Sequence, residues 1–554
     1  MKKVLRLKRV WVLLVLSALF SLPFFSTLLL SVSPDEPVFK HLWETVLPGY
    51  IKNTFLLMIG VGIGSFFLGL VTATLVSFFK FPGRQLFQKF LILPLAIPGF
   101  VIGTVYLQFF EYSGPFQSLI RKLFGFQTAS EYWFPEIASL GGVTVVLSFI
   151  LFPYVFMTTR SAFMEQSQRF FEVSRSLGKG PIRSFTSVIL PLSRPSLTLG
   201  LSLVLMEAAS DFGTVHFFGV PTLTSGIYSV WLQMNNLGGA AQLASMLLSF
   251  MILFITLEKW SRSQKSYYSL KGNHRQMELK ELKGLKGFAA FSLCLIPLFF
   301  GFLFPFSLLL FWSFSHIGQI EFSRFLNDLG HTIFLALSAG GLCLLFSLLF
   351  NYIQRSLGKN RLVEGMVSFA TLGYSIPGPV LALGVLIPLA KFDNFIDSIA
   401  LSLFGNGTGL IFSGSVAAIL LAYLIRFFVL SYGSIQTGFL RITPKMDEAA
   451  IQLGAGVFDR VSKIHGPLLK RSLATSLILV FVDSMKELPA TLMLRPFNYN
   501  TLATRLYELS SDERLMESAP WGVAIVLSGL LPLIILGHPF GGKRNNLKEE
   551  EKES

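Results

Sequence analysis

Charged residues are scarce. They make up 14% of the 554 residues, where soluble domains carry roughly 25%, and that shortage excludes an ordinary water-soluble chain. Cysteine is nearly missing as well. Cys294 and Cys343 both lie in apolar runs, so a disulfide framework or thiolate metal site is excluded and both read as packing residues. The seven histidines fall in no ligand spacing such as HExxH, and no metal centre is legible. The alternating apolar–polar strands of a membrane barrel are absent too.

What the chain does have is apolar length. It is 52% hydrophobic, with 57 phenylalanines and a mean hydropathy of +0.62. A bilayer core of about 30 Å takes roughly 20 apolar residues as a helix, and WVLLVLSALFSLPFFSTLLL (11–30) is the first of many such runs. Backbone polar groups in lipid must be satisfied within the segment, so these runs are helices. The fold class is all-α, a polytopic membrane protein. Spans are expected at about 11–32, 51–78, 90–110, 139–159, 195–212 and 239–257, then at about 287–313, 329–353, 365–390, 411–433, 472–486 and 519–537. The first has a basic flank, but no small-x-small cleavage site follows LLLSVSPDE, so it reads as an uncleaved helix.

A net charge of +15 raises the question of nucleic acid. Placing MKKVLRLKR on the cytoplasmic side puts 35 of the 46 Lys and Arg residues on that side. The basic charge therefore reports topology, with both termini cytoplasmic, and nucleic acid is excluded as a partner. The lysine-rich stretch SRSQKSYYSLKGNHRQMELKELKGLKG (261–287) reads as a cytoplasmic connector between two halves. The tail KRNNLKEEEKES is charged and carries no fold signal.

The halves repeat. Glu172 and Glu448, Gly178 and Gly454, and Pro191 and Pro467 are each separated by 276 residues. LAIPG (95–99) answers YSIPG (374–378), NTFLL (53–57) answers HTIFL (331–335), and Thr222-Leu223 answers Thr501-Leu502. Six spans per half is an even number, so both polar segments fall on one side and the halves are related by a pseudo-two-fold axis along the membrane normal.

Those polar segments, EVSRSLGKGPIRSFTSVILPL (172–192) and EAAIQLGAGVFDRVSKIHGPL (448–468), interrupt an otherwise apolar chain. Thr443-Pro444 predicts a helix start with a hydroxyl N-cap. Asp447 and Glu448 suit the positive end of the helix dipole, and Gly454 a C′ position. A second short helix is expected from Val457 to His465, closed by Pro467. The first copy follows the same plan through Ser167, Glu172, Leu177, Gly178, Pro181 and Pro191. A helix outside the bilayer that still carries Ile451 has the make-up of one that docks into a groove on another protein.

The motif of Glu448-Ala449-Ala450 with Gly454, matched by Glu172, Leu177, Gly178 and Leu190-Pro191, resembles the EAA loop of ABC-importer permeases. Val173-Ser174 replaces Ala-Ala in the first copy, and Gly466-Pro467 replaces Leu-Pro in the second. The resemblance covers about 50–257 and 328–536. It implies the type I importer transmembrane fold, with about 12 helices in two homologous halves. The implied domains are 51–257 and 329–537, flanked by 1–50, a linker at 258–286, a seventh span and external loop at 287–328, and a tail at 538–554. It further implies a bacterial plasma-membrane location and three partners: an ATP-binding subunit in two copies, an external substrate-binding protein and the bilayer. The two loops would be coupling helices seated on the ATPase. No cofactor is expected on this chain; ATP and magnesium belong to the ATPase subunit.

GHPFGGKR (537–544) nearly matches a phosphate-binding loop, but it lacks the Ser/Thr that holds magnesium and follows a membrane span. The chain is therefore expected to carry no ATPase site. For cargo, KELPATLMLRPFNYNTLATRLYE (486–508) resembles fused ferric-iron permeases. Thiamine and phosphonate permeases share that layout. An ion-gradient carrier would place ionisable residues mid-span, and these spans look nearly devoid of them. Asp211 and Glu487, again 276 apart, are candidates for a pathway or gate or for solvated caps at the outer mouth. Arg426 is the one clear charge deep in a span; it can snorkel, pair with a carboxylate or line the pathway, and sits near the cytoplasmic surface if its span ends early. Gly60 and Gly64 read as a helix-packing pair, and the two IPG triplets as kinks.

Overall fold

A computed structural model describes residues 2–32, 38–165, 180–263, 279–319, 321–358, 360–456 and 459–536. Among these, eight helices are long and apolar enough to cross a bilayer, and ten if each of two bent pairs counts as one span. The first half carries α1 (Lys2–Val32), α2 (Leu47–Phe78), α3 (Gly99–Phe110), α4 (Leu140–Glu165), α5 (Arg194–Ser210) and α6 (Leu237–Ser263). The second carries α7 (Gly284–Ser315, through a π-turn at Phe299–Leu303), α8 (Phe322–Leu357), α9 (Gly378–Phe404), α10 (Val416–Phe439), α11 (Gly466–Met485) and α12 (Leu515–Leu536). Each expected span holds a helix. Of the two helices outside that tally, α11 carries Lys470, Arg471 and Asp483, which dilute its hydropathy, and α12 is apolar over Leu515–Leu530.

The span expected at 90–110, with a kink at its IPG triplet, is broken outright. Arg84–Ala96 and Gly99–Phe124 meet at 89°, with the first IPG triplet at the corner. The proline N–H is missing and Ile97 is extended, so the helix stops there and restarts at Gly99. The second triplet stands in the same place, before α9.

The repeat markers turn out to touch. Thr222 and Thr501 each form a capping box, with Ser225 and Thr504. The next residue's N–H, Leu223 or Leu502, donates to Thr54 Oγ1 at 3.0 Å or Thr332 Oγ1 at 2.8 Å. NTFLL and HTIFL thus receive the loop that follows the fifth span of their own half.

Small residues bring α2 onto α4. A Cβ on Gly60 would lie 2.7 Å from Thr144 Cγ2, one on Gly64 would collide with Ser148, and one on Gly69 would lie 2.6 Å from Val155 Cβ. This contact is the packing role expected for Gly60 and Gly64.

The sequence halves are nevertheless not separate lobes. α1 leaves the first half and packs on the second: Phe20 meets Phe350 and Phe428, and Ser26 Oγ donates to Gly384 O at 2.6 Å. α7 makes the reciprocal crossing. Tyr106 Oη donates to Phe300 O at 2.7 Å, and Gly301 lies against Pro94 and Phe149. Each half is clasped by the opening span of the other, so the apolar core is shared.

Candidate functional site

The second polar segment forms the helix Pro444–Gln452. Thr443 stands at its N-cap with extended backbone, but its hydroxyl makes no capping bond, contrary to the expectation. Pro444 removes one orphan donor, and the Thr443 carbonyl accepts from Met446 N–H at 3.1 Å, so the start closes without the side chain. The far end is a complete Schellman motif. Gly454 sits at φ +79°, its N–H donates to Ile451 O at 3.0 Å, and Ala455 N–H donates to Ala450 O at 2.9 Å.

Asp447 fastens this helix to the membrane domain. One carboxylate oxygen accepts from Arg355 Nη2 at 2.7 Å and Nε at 2.9 Å; the other faces His465 Nε2 at 2.7 Å. Arg355 ends α8 and also donates to Phe439 O and Ile442 O, which ties in the end of α10. Burial opposes ionisation of Asp447, but its hydrogen bonds to Arg355 and His465 outweigh that and hold the carboxyl below the ordinary carboxylate value. Ala450 is buried against the domain, whereas Glu448, Ala449 and Gln452 are exposed, as are Ile451 at 55% and Leu453 at 88%. An apolar face left outside the bilayer on a rigidly held helix is suited to docking.

The expected second short helix is not a separate element. A π-turn at Arg460–His465 runs directly into α11, and Pro467 opens that helix instead of closing one. Pro191 likewise sits in a helical turn, Leu190–Leu192, after a π-turn at Phe185–Ile189. The wider i→i+5 turn absorbs the donor that proline lacks, so the chain continues where the sequence read a stop. In the first half it then bends by 67° into α5. Glu172, Leu177 and Gly178 lie outside the described residues.

The anchor has no copy in the first half. At the 276-residue offset of the loops, Asp447 and His465 answer to Phe171 and Ile189, and at the 278-residue offset of the NTFLL and HTIFL markers Arg355 answers to Ser77. Phe78, Phe163 and Phe185 cluster there instead, with ring centroids 4.9–6.1 Å apart.

Asp211 and Glu487 are matched helix caps. Asp211 accepts from Thr214 Oγ1 at 2.8 Å and Val215 N at 3.1 Å. Glu487 accepts from Ala490 N at 3.0 Å, Thr491 N at 2.9 Å and Thr491 Oγ1 at 2.6 Å. They cap the short helices Gly213–Phe217 and Pro489–Leu494, and Glu487 is 5% exposed, so a solvated cap does not describe it. Gly99 lies under Thr214 and Asp211, and Gly378 under Pro489. The IPG corners are thus the floors on which these capped turns rest.

One helical turn earlier stands a pair that the sequence reading missed, Glu207 and Asp483, also 276 apart. Glu207 interacts electrostatically with Arg426, Lys486 and Asp483. Tyr374 Oη donates to Glu207 Oε1 at 3.5 Å, Lys486 Nζ lies 2.8 Å from Asp483 Oδ1, and Tyr154 interacts electrostatically with Glu207 and Asp483. Arg426 donates to Ile376 O at 3.3 Å. Its helix continues to Phe439, so Arg426 is mid-span and faces carboxylates. The spans are therefore not devoid of charge. The shared offset was the available signal, and it pointed to Glu207 and Asp483 as much as to Asp211 and Glu487.

Farther from the coupling loops, Phe212, His216, Tyr228 and Tyr507 form an aromatic layer. The ring centroids of Phe212 and Tyr228 are 4.8 Å apart, and Tyr507 from the other half lies 5.9 Å from Phe212 and 5.7 Å from His216.

The model of the binding-protein-dependent transport system inner membrane component family matches residues 65–264. The Fe(3+)-transport system permease protein FbpB 2 of Haemophilus influenzae is 24% identical over 495 residues, covering 88% of this chain and 89% of its own length. The ferric transport system permease protein FbpB of Actinobacillus pleuropneumoniae is 24% identical over 525 residues, covering 90% and 72%. The sulfate transport system permease protein CysT of Escherichia coli is 26% identical over 223 residues, 38% of this chain and 77% of its own. The family model over residues 65–264 and the relatives that run along both halves support a multi-pass ABC-importer permease with its two halves fused.

Proposed function

We propose that this chain is the permease of a ferric-iron importer, that ATP is hydrolysed by a separate subunit in two copies, and that an external binding protein delivers the ion. Both termini then face the cytoplasm, in keeping with the lysine and arginine distribution. The observation that carries the mechanism is the helix Pro444–Gln452, apolar and exposed on its outer face and fixed to two spans through Asp447. Closure of the ATPase pair would push on this helix and its counterpart around Glu172. His465 leads without a break into α11, so the push would arrive at Asp483 and Lys486 about 30 Å away. A rigid lever acting on a two-state bundle is a familiar route for such coupling.

Iron as cargo is supported by relatives named for ferric transport that match along both halves. The sulfate and 2-aminoethylphosphonate permeases match only 33–38% of the chain. The test is competition for uptake in cells carrying the whole system. Ferric ion should block uptake of radiolabelled ferric ion, and sulfate, phosphonate and thiamine should not. Competition by one of those three would replace iron as the cargo.

A further inference from the structure

We propose that Glu207 of the first half and Arg426, Lys486 and Tyr374 of the second form a latch that holds the outer side of the permease shut until the coupling helices release it; this rests on the coupling mechanism above. The contact crosses between the halves. Tyr374 Oη donates to Glu207 Oε1 at 3.5 Å, and Glu207 interacts electrostatically with Arg426 and Lys486.

The charges on the two sides are complementary. The second half presents Arg426, Lys486 and Asp483, with Lys486 Nζ 2.8 Å from Asp483 Oδ1, which leaves one formal positive charge in excess. Glu207 supplies the matching negative charge. The position 276 residues before Lys486 holds Ser210, so the first half has the carboxylate without the lysine. Glu207 and Asp483 alone would repel, and the cations of one half turn that repulsion into attraction. Partly buried ion contacts are weak sources of stability; their better-attested use is to fix one arrangement against another.

Position carries the rest. Glu207 and Asp483 each stand four residues before the capping carboxylates Asp211 and Glu487. Immediately beyond, the halves close on each other. Phe212 and Tyr507 are buried with ring centroids 5.9 Å apart, Phe217 lies 5.2 Å from Tyr507, and a Cβ on Gly213 would come within 3.0 Å of Leu488. On the other side, α11 runs from the anchor at His465 to Met485, the residue before Lys486. Movement of the helix Pro444–Gln452 is therefore delivered to Asp483 and Lys486, where it parts them from Glu207 and lets the aromatic layer separate.

The test uses the complex of this chain with its ATPase in lipid nanodiscs, spin-labelled through Gln233→Cys and Asp512→Cys. These positions are exposed on the outer loops of the two halves, and the native Cys294 and Cys343 are buried. With the latch residues intact, trapping the ATPase with a non-hydrolysable nucleotide should lengthen the distance between the labels. Glu207→Lys gives both halves an excess positive charge, and Lys486→Glu gives both an excess negative one. Each should show the longer distance without nucleotide and raise ATP hydrolysis in the absence of binding protein by at least about fivefold. The double variant restores opposite charges and should return both readouts toward the original values. Glu207→Gln, which keeps the shape, should shift both in the same direction by less. Copurification of the ATPase confirms that each variant is assembled. If the intact latch responds to nucleotide but Glu207→Gln and Lys486→Glu leave distance and hydrolysis unchanged, the latch alone is overturned. The same holds if the double variant is no nearer the original than either single variant. A distance that ignores nucleotide with the latch residues intact overturns the coupling mechanism, and the latch with it.

Discussion

Asp447 and His465 face each other at 2.7 Å, with Arg355 on the other carboxylate oxygen. One aspartate thus joins the exposed helix, the end of α8 and the start of α11. His465 is 3% exposed, and its Nδ1 has no partner, so its fixed orientation depends on Asp447. Asp447→Asn removes the charge and keeps the shape, and should cost the anchor about 2 kcal/mol. The expected result is faster proteolytic nicking across 444–456 and slower transport, with the membrane domain still folded.

The same group sets a pH expectation. Its folded-state pKa lies below the ordinary value of 3.8, so its contribution is complete above that value and is lost only as pH falls through the lower, folded-state value. Acidification from pH 7 to about pH 5 should leave the Asp447–Arg355 pair intact. A reporter cysteine at Ala449 should keep its reactivity pattern once thiol ionisation is corrected for. In Asp447→Asn the surrounding segment should react faster at every pH.

Gly454 holds φ +79°, and nothing lies within 4 Å of the place a Cβ would take there. Its replacement is therefore opposed by backbone conformation alone. Gly454→Ala should cost about 1 kcal/mol and Gly454→Val more. Copurification with the ATPase should fall in that order.

Gly64→Leu tests the helix contact. Its side chain would enter Ser148 on α4, and overpacking of this kind costs about 1–3 kcal/mol. The variant should melt at a lower temperature in detergent. Gly341→Leu, at a glycine with open space around its Cβ position, should not.

Much was legible in the sequence because it was written twice. The offset of 276 between Glu172 and Glu448 exposed both loops, and the NTFLL and HTIFL markers proved to be the acceptors for the Thr222 and Thr501 turns. What lacked a second copy was missed: Asp447 and His465 have apolar counterparts and Arg355 an uncharged one, so a search guided by repetition passed over the anchor. The crossing of α1 and α7 was hidden for another reason. Apolar periodicity records that Phe20 is buried, not which half buries it. Pro191 and Pro467 misled because proline is read as a helix stop, whereas a preceding π-turn removes the conflict. Glu207 and Asp483 shared the offset with Asp211 and Glu487, but only the fold separates carboxylates that cap a turn from those that meet Arg426, Lys486 and Tyr374.

The most direct test is ATP-dependent ferric uptake by proteoliposomes containing this chain, with and without its ATPase and with Glu172→Ala plus Glu448→Ala. The account predicts uptake only when the ATPase is present, and loss of both uptake and ATPase copurification in the double variant. Uptake that persists without the ATPase, or a double variant that assembles and transports as the wild type does, would contradict it.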